Sequence, residues 1–486
     1  MSKEIRVLEP VAVWNKFADL NAVPRPSKKE ERVIAFMLAF GESLGLETFK
    51  DEVGNVIVRK PATAGMEDRK MVTLQSHLDM VHQKNNDTNF DFDTQGIDMF
   101  IDGDWVKAKG TTLGADNGLG VATIMALLES KEIPHPALEA LFTIDEETGM
   151  TGAMGLKGGV LQGEILLNLD TEEDDEIGIG CAGGVDVTAK RTYGEKSIPR
   201  GVVPYKIIVS GLQGGHSGMD IHRGLGNANK IMNRILYHCS KDLNIRISEI
   251  NGGSLRNAIP RESYTILIVD KAHTALFEKE IQDLATIIKE ELKVMEPNLS
   301  VEITSAKKPK KIVGLRSQEK LFKTIYAAHN GVYRMSAAIP GLVETSNNLA
   351  RVKVKDGKME IACLTRSSVN SSKNDLADAL TATFEMAGME VSLSGEYPGW
   401  NPNPDSGILK VLEAKYETLF NEKPNVAACH AGLECGILGN NYPDMDMISF
   451  GPTIKGAHSP DERVSISSVQ KYWKFVLEIL KDSPKK

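Results

Sequence analysis

Residues 71–79 read MVTLQSHLD, and residues 138–147 read LEALFTIDEE. Each is a short apolar run that closes on groups able to bind a proton or a cation: His77 and Asp79 in the first, Glu146 and Glu147 in the second. A third run, GEILLNLD, closes on Asp170. Short, largely apolar runs of this length fit strands buried on both faces, which points to a sheet with parallel character. Between the first two, GLGVATIMALLES (118–130) has a helical period. Upstream, a helix is expected around 28–45 and a strand over 53–59, while 83–110 reads as a long polar stretch. Strands alternating with helices predict an α/β fold whose ligands bind beyond the carboxyl ends of the strands. His77, Glu146, Glu147 and Asp170 all fall at such ends.

From about residue 187 the texture changes. PYKIIVSG, the helical GLGNANKIMNRILYHC, two strand-like runs through 269, a helix near 274–294 and LSVEITS form one unit. A helix near 316–329, strands near 349–355 and 358–365, a helix near 373–388 and MEVSLSGEY form a second. Both resemble the β-α-β-β-α-β sandwich. After PGWNPNP come a helix (406–421), the strand DMDMISFG, His458 and a last helix (466–481). A catalytic domain is therefore expected in two pieces, 1–186 and 398–486. Its sheet is largely parallel or mixed and flanked by helices, and an inserted, duplicated α/β lid spans 187–397.

The chain has 486 residues, enough for two domains, and its formal charge of −9 argues against a nucleic-acid partner. Lys307, Lys308, Lys310 and Lys311 read as a solvated loop face. Five scattered cysteines without C-x-x-C spacing fit a reducing compartment. The opening MSKEIRVLEP has no apolar core and no run approaches 18 apolar residues, so a cytoplasmic location and no membrane partner are expected.

Two imidazoles, His77 and His458, and three carboxylates suit two zinc-like ions, with Asp79 and one more carboxylate left for proton chemistry. Asp116, between glycines in GADNG, can bridge two cations or cap a helix. Glu146 and Glu147 are adjacent after a buried strand and would repel each other without a cation or a shared proton. One can ligate while the other takes a proton from water. The acidic run 172–176 reads as a solvated turn, and GIGCAG (178–183) opens no helix. His216, in LQGGHSGMD, sits in a glycine-rich turn, as a ligand-facing or a plain loop histidine. Asn257 and Arg366 form a carboxylate clamp if they converge with that histidine. Cys429, His430 and Cys435 lack the further ligands of a zinc site.

LQSHLDMV, GTTLGADNG, GCAGG, GGHSG, LRNAIPRE, YPGW, HAGLECG and HSPDE, spread over nearly the whole chain, together resemble the M20 family of metallopeptidases, in its dipeptidase branch. The resemblance implies two divalent ions per chain, zinc first, with manganese or cobalt as alternatives. His77 and Asp170 would hold one ion, Glu147 and His458 the other, with Asp116 bridging and the Asp116–Asn117 peptide cis. Glu146 would be the general base acting on a metal-bridging water, and Asp79 would orient it or the His77 ring. His216 would donate to the oxyanion, Arg366 and Asn257 would bind the substrate carboxylate, and Glu434 would lie on the substrate-binding side. The implied substrates are small unblocked dipeptides, including Xaa-His types such as carnosine. A homodimer is expected. Because the insertion reads as duplicated, unlike the single sandwich of simpler dimeric relatives, His216 is expected to serve its own chain.

Overall fold

In the computed structural model, which describes residues 3–486, Val72–His77 lies between Leu138–Thr143 and Ile165–Asn168 and runs parallel to both. Asp446–Ser449 extends the parallel run beside Ile165–Asn168. Every residue of the first three strands is buried, the polar Thr73, Gln75, Ser76, Glu139 and Asn168 included, as expected of strands covered on both faces. The complete sheet has eight strands. In spatial order they are Glu47–Lys50, Val56–Lys60, Leu138–Thr143, Val72–His77, Ile165–Asn168, Asp446–Ser449, Glu176–Cys181 and Asn425–Cys429. The first two strands, and the contact of Glu176–Cys181 with Asp446–Ser449, are antiparallel. Helix Ala115–Glu129 is buried continuously from Asn117 to Leu128 and shares a core with Trp14 and Phe17 of helix Val11–Leu20. Each large apolar side chain sealed there contributes on the order of 2 kcal/mol.

The polar stretch 83–110 contains structure that its composition conceals. Met99–Asp102 and Trp105–Ala108 form a hairpin turned at Gly103. The second of these strands pairs with Arg463–Ser465, which pairs in turn with Ile454–Lys455. Both strands are short, and the second pairs with a partner more than 350 residues away, which local pattern could not reveal. This small sheet fixes the loop that carries His458, because the strands on either side of that loop are hydrogen-bonded to each other.

The chain divides into two units. Unit 1 runs to Gly180 and resumes as Trp400–Ala428 and Leu433–Lys486, and unit 2 comprises Cys181–Gly399 and Cys429–Gly432. Unit 2 is built on one long antiparallel sheet with two halves. In the first, Val202–Ser210, helix Ala228–Asp242, Arg246–Gly252, Ser263–Asp270, helix Thr274–Leu292 and Ser300–Ser305 follow in β-α-β-β-α-β order. The second has the same order but takes its first strand, Gly183–Thr192, from before the first half. Helix Leu315–Ala327, Val343–Lys355, Lys358–Ser367, helix Asn370–Met386 and Glu390–Tyr397 complete it. The halves join where Arg246–Gly252 pairs with Val343–Lys355. The four helices bury one stripe each in a common core; in Thr274–Leu292 it is Phe277, Ile281, Leu284, Ala285 and Ile288. Among the described residues no helix is long and apolar enough to cross a membrane.

Candidate active site

Three parallel strands of unit 1 deliver acidic or imidazole groups at their carboxyl ends. His77 is the last residue of its strand, Glu146 and Glu147 follow Thr143, and Asp170 follows Asn168. Asp116 is brought to them by the start of helix Ala115–Glu129, where the Asp116–Asn117 peptide is cis. His77 Nε2 lies 3.2 Å from Asp116 Oδ1 and 3.5 Å from Asp170 Oδ1. His458 Nε2 lies 3.2 Å from Asp116 Oδ2 and 3.0 Å from Glu147 Oε2. The two oxygens of Asp116 thus face different imidazoles. Two groups of potential ligands, His77–Asp116–Asp170 and Asp116–Glu147–His458, share that carboxylate, and a third, His77–Glu146–Glu147, overlaps them.

These residues fit a pair of divalent cations. Carboxylate oxygens and imidazole nitrogens are the donors such ions take. The separations of 3.0–3.5 Å between donor atoms match the edge of a tetrahedron, about 3.4 Å, for ligand distances of about 2.0–2.1 Å. Glu147 Oε1 is buried with no hydrogen-bond partner. The charge state points the same way. Hydrogen bonds donated to Asp116 and Glu147 push the His458 imidazole up to about 11. His77 is raised well above its usual range: burial opposes the charge, but Asp170 and Asp116 outweigh it. Burial holds Glu146 well above the carboxylate range, helped by Asp170, Glu434 and Glu147, and lifts Asp170 to about 6.

Asp79 is fully buried, and its two oxygens accept the backbone N–H groups of Glu146 (3.0 Å) and Glu147 (3.3 Å). Its Oδ1 lies 3.4 Å from His77 Nδ1. One carboxylate therefore sets both the His77 ring and the turn bearing the glutamate pair. Glu434 is fully buried in unit 1. Its Oε2 accepts from Gln75 Nε2 and Thr143 Oγ1, both at 2.6 Å, and its Oε1 has no partner. Burial pushes its carboxyl up to about 8.

Two residues that sequence reasoning passed over hold the Asp116 segment. Glu462 accepts four successive backbone N–H groups, those of Leu113, Gly114, Ala115 and Asp116, at 2.7, 2.9, 2.8 and 3.3 Å. Arg25, 1 % exposed, donates to the carbonyls of Leu78, Asp79 and Gly114. Gly114 has φ +70°, and a Cβ there would lie 2.6 Å from Arg25 Nη2, so both backbone angle and space require glycine. Glu462 stands in the quoted HSPDE, where it could have been weighed. Arg25, between two prolines in NAVPRPS, gives no local signal.

Unit 2 carries the remaining candidates. His216 Nδ1 accepts the backbone N–H groups of Gly218 (3.3 Å) and Met219 (3.1 Å), which leaves the proton on Nε2. Burial, then Arg366, lowers this histidine to about 4, so the ring is a neutral donor. Arg366 is 5 % exposed; its Nη1 donates to Tyr397 Oη (2.8 Å) and its Nε to Ser217 Oγ (3.4 Å). Among the described residues no carboxylate comes within ion-pair distance of it. Asn257 is exposed; its carbonyl accepts from Ser217 N–H, and the carbonyls on either side of it both accept from the Asn348 amide. His430, weighed above only as part of a zinc pair, is buried against Ser346 Oγ (2.8 Å).

The family model for peptidase family M20/M25/M40 matches residues 73–482. The chain belongs to that family. This M20 peptidase is 44 % identical over 483 residues to the cytosol non-specific dipeptidase of Escherichia coli (strain K12), covering 99 % of this chain and 100 % of that one. It superposes with a TM-score of 0.93 on the aminoacylhistidine dipeptidase of Vibrio alginolyticus, at 42 % identity, covering 100 % of this chain and 99 % of that one. The aminopeptidase PepT of Bacillus cereus ATCC 10987, at 15 % identity and a TM-score of 0.57, covering 98 % of each chain, shares the fold.

Proposed function

We propose that this M20 peptidase hydrolyses the peptide bond of unblocked dipeptides, Xaa-His dipeptides such as carnosine among them. The observation that carries the reading is Asp116, whose two oxygens face His77 and His458 separately within one set of imidazoles and carboxylates. His77 and Asp170 would hold one divalent ion, Glu147 and His458 the other, and Asp116 both, with zinc first and manganese or cobalt as alternatives. When bound, such a pair acidifies water and polarises a carbonyl oxygen.

Glu146 takes a proton from the attacking water and returns it to the leaving amine; a carboxyl raised by burial suits both transfers. Asp79 keeps that glutamate in place through its backbone N–H. His216 offers Nε2–H to the oxyanion, a contribution of about 3 kcal/mol for one well-placed donor. Arg366 and Asn257 read the free carboxylate, which limits substrates to short peptides. Glu434, anchored by Gln75 and Thr143 at Oε2, stands on the substrate-binding side. The relative from Escherichia coli is named a cytosolic enzyme, and we place this chain there too, as a homodimer.

The test is hydrolysis of a free Xaa-His dipeptide and of its N-acetyl form, before and after chelation, with zinc, manganese or cobalt restored. Cleavage of the free dipeptide that chelation removes and metal restores is expected. Cleavage of the acylated compound alone would overturn the dipeptidase reading in favour of a deacylase.

A further inference from the structure

Arg366, Gly184 and Tyr397 stand in one row across three neighbouring strands of unit 2. Arg366 is the register partner of Gly184, and Gly184 is the register partner of Tyr397. Residues opposite one another in antiparallel strands point to the same face, so the middle position would normally separate the outer two by a full side chain. Here it is glycine, and the Tyr397 ring occupies the space: a Cβ at Gly184 would lie 2.7 Å from Tyr397 Cε1 and 2.8 Å from its Cζ and Oη. Across that gap Arg366 Nη1 donates to Tyr397 Oη at 2.8 Å.

Ordinary packing does not account for the arrangement. Tyr397 ends the edge strand Glu390–Tyr397, whose other residues are mostly exposed. The register shifts between Ser394 and Tyr397, an irregularity of the kind that re-aims a side chain at a sheet edge. Lys373, 1 % exposed, then fixes the re-aimed residue by donating to the Tyr397 carbonyl at 2.7 Å. Gly183 admits the chain that follows, since a Cβ there would lie 2.4–2.5 Å from backbone atoms of residues 397–399. The GCAGG and YPGW motifs thus meet in one contact. Arg366 is a buried guanidinium without a carboxylate partner, held at Nε and Nη1, with Nη2 lacking a protein acceptor among the described residues.

We propose that Tyr397 is the specificity-determining partner of Arg366: seated in the gap at Gly184, it fixes the guanidinium in the orientation that accepts a substrate's terminal carboxylate. A guanidinium recognises a carboxylate through a planar fork, so restricting its rotation lowers the cost of binding. The proposal rests on the reading of Arg366 as the carboxylate-binding group. Tyr397 is a positioning residue and takes no part in the proton transfers.

The experiment uses the full, metal-loaded chain and compares a free dipeptide with the same dipeptide as its C-terminal amide, as substrates or as competitive inhibitors. Tyr397→Phe keeps the ring and removes the acceptor. The KM for the free dipeptide is expected to rise about tenfold with kcat within twofold, while the amide changes less than threefold. Gly184→Ala is expected to raise the same KM by displacing the ring, and Tyr397→Phe should add nothing in an Arg366→Ala background. Equal losses on both compounds, or a fall in kcat alone, would reduce Tyr397 to packing and overturn the proposal. If Arg366→Ala itself leaves the preference for the free carboxylate intact, the underlying reading of Arg366 fails, and that outcome is distinct from a silent Tyr397→Phe beside a responsive Arg366→Ala.

Discussion

Unit 1 gathers negative charge around two imidazoles, whereas unit 2 buries a guanidinium whose hydrogen-bond partners are neutral hydroxyls. Around His77 and His458 the carboxylates of Asp79, Asp116, Glu146, Glu147 and Asp170 converge, with Glu434 and Glu462 behind them. Among the described residues Arg366 hydrogen-bonds only the Tyr397 and Ser217 hydroxyls; the Asp186 carboxylate acts on it from beyond ion-pair distance, and His216 and His430 are both held neutral by burial. Burying unbalanced charge is costly; on the proposed reading, cations offset the surplus in unit 1 and a substrate carboxylate the guanidinium in unit 2.

The sharpest way to break the comparison is to remove the one carboxylate assigned to proton transfer. Glu146→Ala should lose several orders of magnitude in kcat while retaining its metal, read by steady-state turnover beside metal content. Near-normal turnover would remove Glu146 as the base. Glu462→Gln tests whether the ligand set needs its backing. The amide turns donor hydrogens toward a row of four backbone N–H groups, so metal affinity should fall about 10- to 100-fold by titration. Stability should drop by about 2 kcal/mol in denaturant unfolding. An unchanged affinity would show that Asp116 needs no such support.

That second prediction marks where sequence reading stopped. His77, Asp116, Glu146, Glu147 and Asp170 were legible because each follows an apolar run or opens an apolar helix, and strand ends in α/β sheets are where such groups do chemistry. The two sandwiches of unit 2 were legible from alternating helix and strand periods, although the first strand of the second half, Gly183–Thr192, was not assigned to it. That strand pairs with partners more than 160 residues away. Arg25 and Glu462 act through several hydrogen bonds to distant backbone groups, and Tyr397 through one from Arg366, and such contacts leave no periodicity. The hairpin at 99–108 was hidden for the same reason: its partner lies at 463–465.

A smaller effect sharpens the contrast in charge. Burial, then Arg366 and His216, lowers the His430 imidazole to about 3, against an ordinary value near 6.5. The unfolded chain therefore binds this proton first, so the stabilisation is complete above pH 6.5 and declines as the pH falls toward 3. Between pH 7 and pH 4.5 the protein should lose on the order of 3 kcal/mol more than its His430→Gln variant. Denaturant midpoints at the two pH values measure the difference, and identical pH dependence would mean that His430 carries no such burden.

The last prediction expects no effect at all. Mixing a His216→Ala chain with a Glu146→Ala chain should restore no activity. His216 belongs to the first half of unit 2 and Arg366 to the second, yet Ser217, next to His216, accepts from Arg366 Nε. The halves are joined edge to edge through Arg246–Gly252 and Val343–Lys355 of one chain. On the in-cis reading each chain carries its own full set of residues, so mixing two crippled chains yields no intact set. Recovery toward a quarter of wild-type activity or more would place His216 in its partner's reaction, and the paired halves would have to be explained by stability alone.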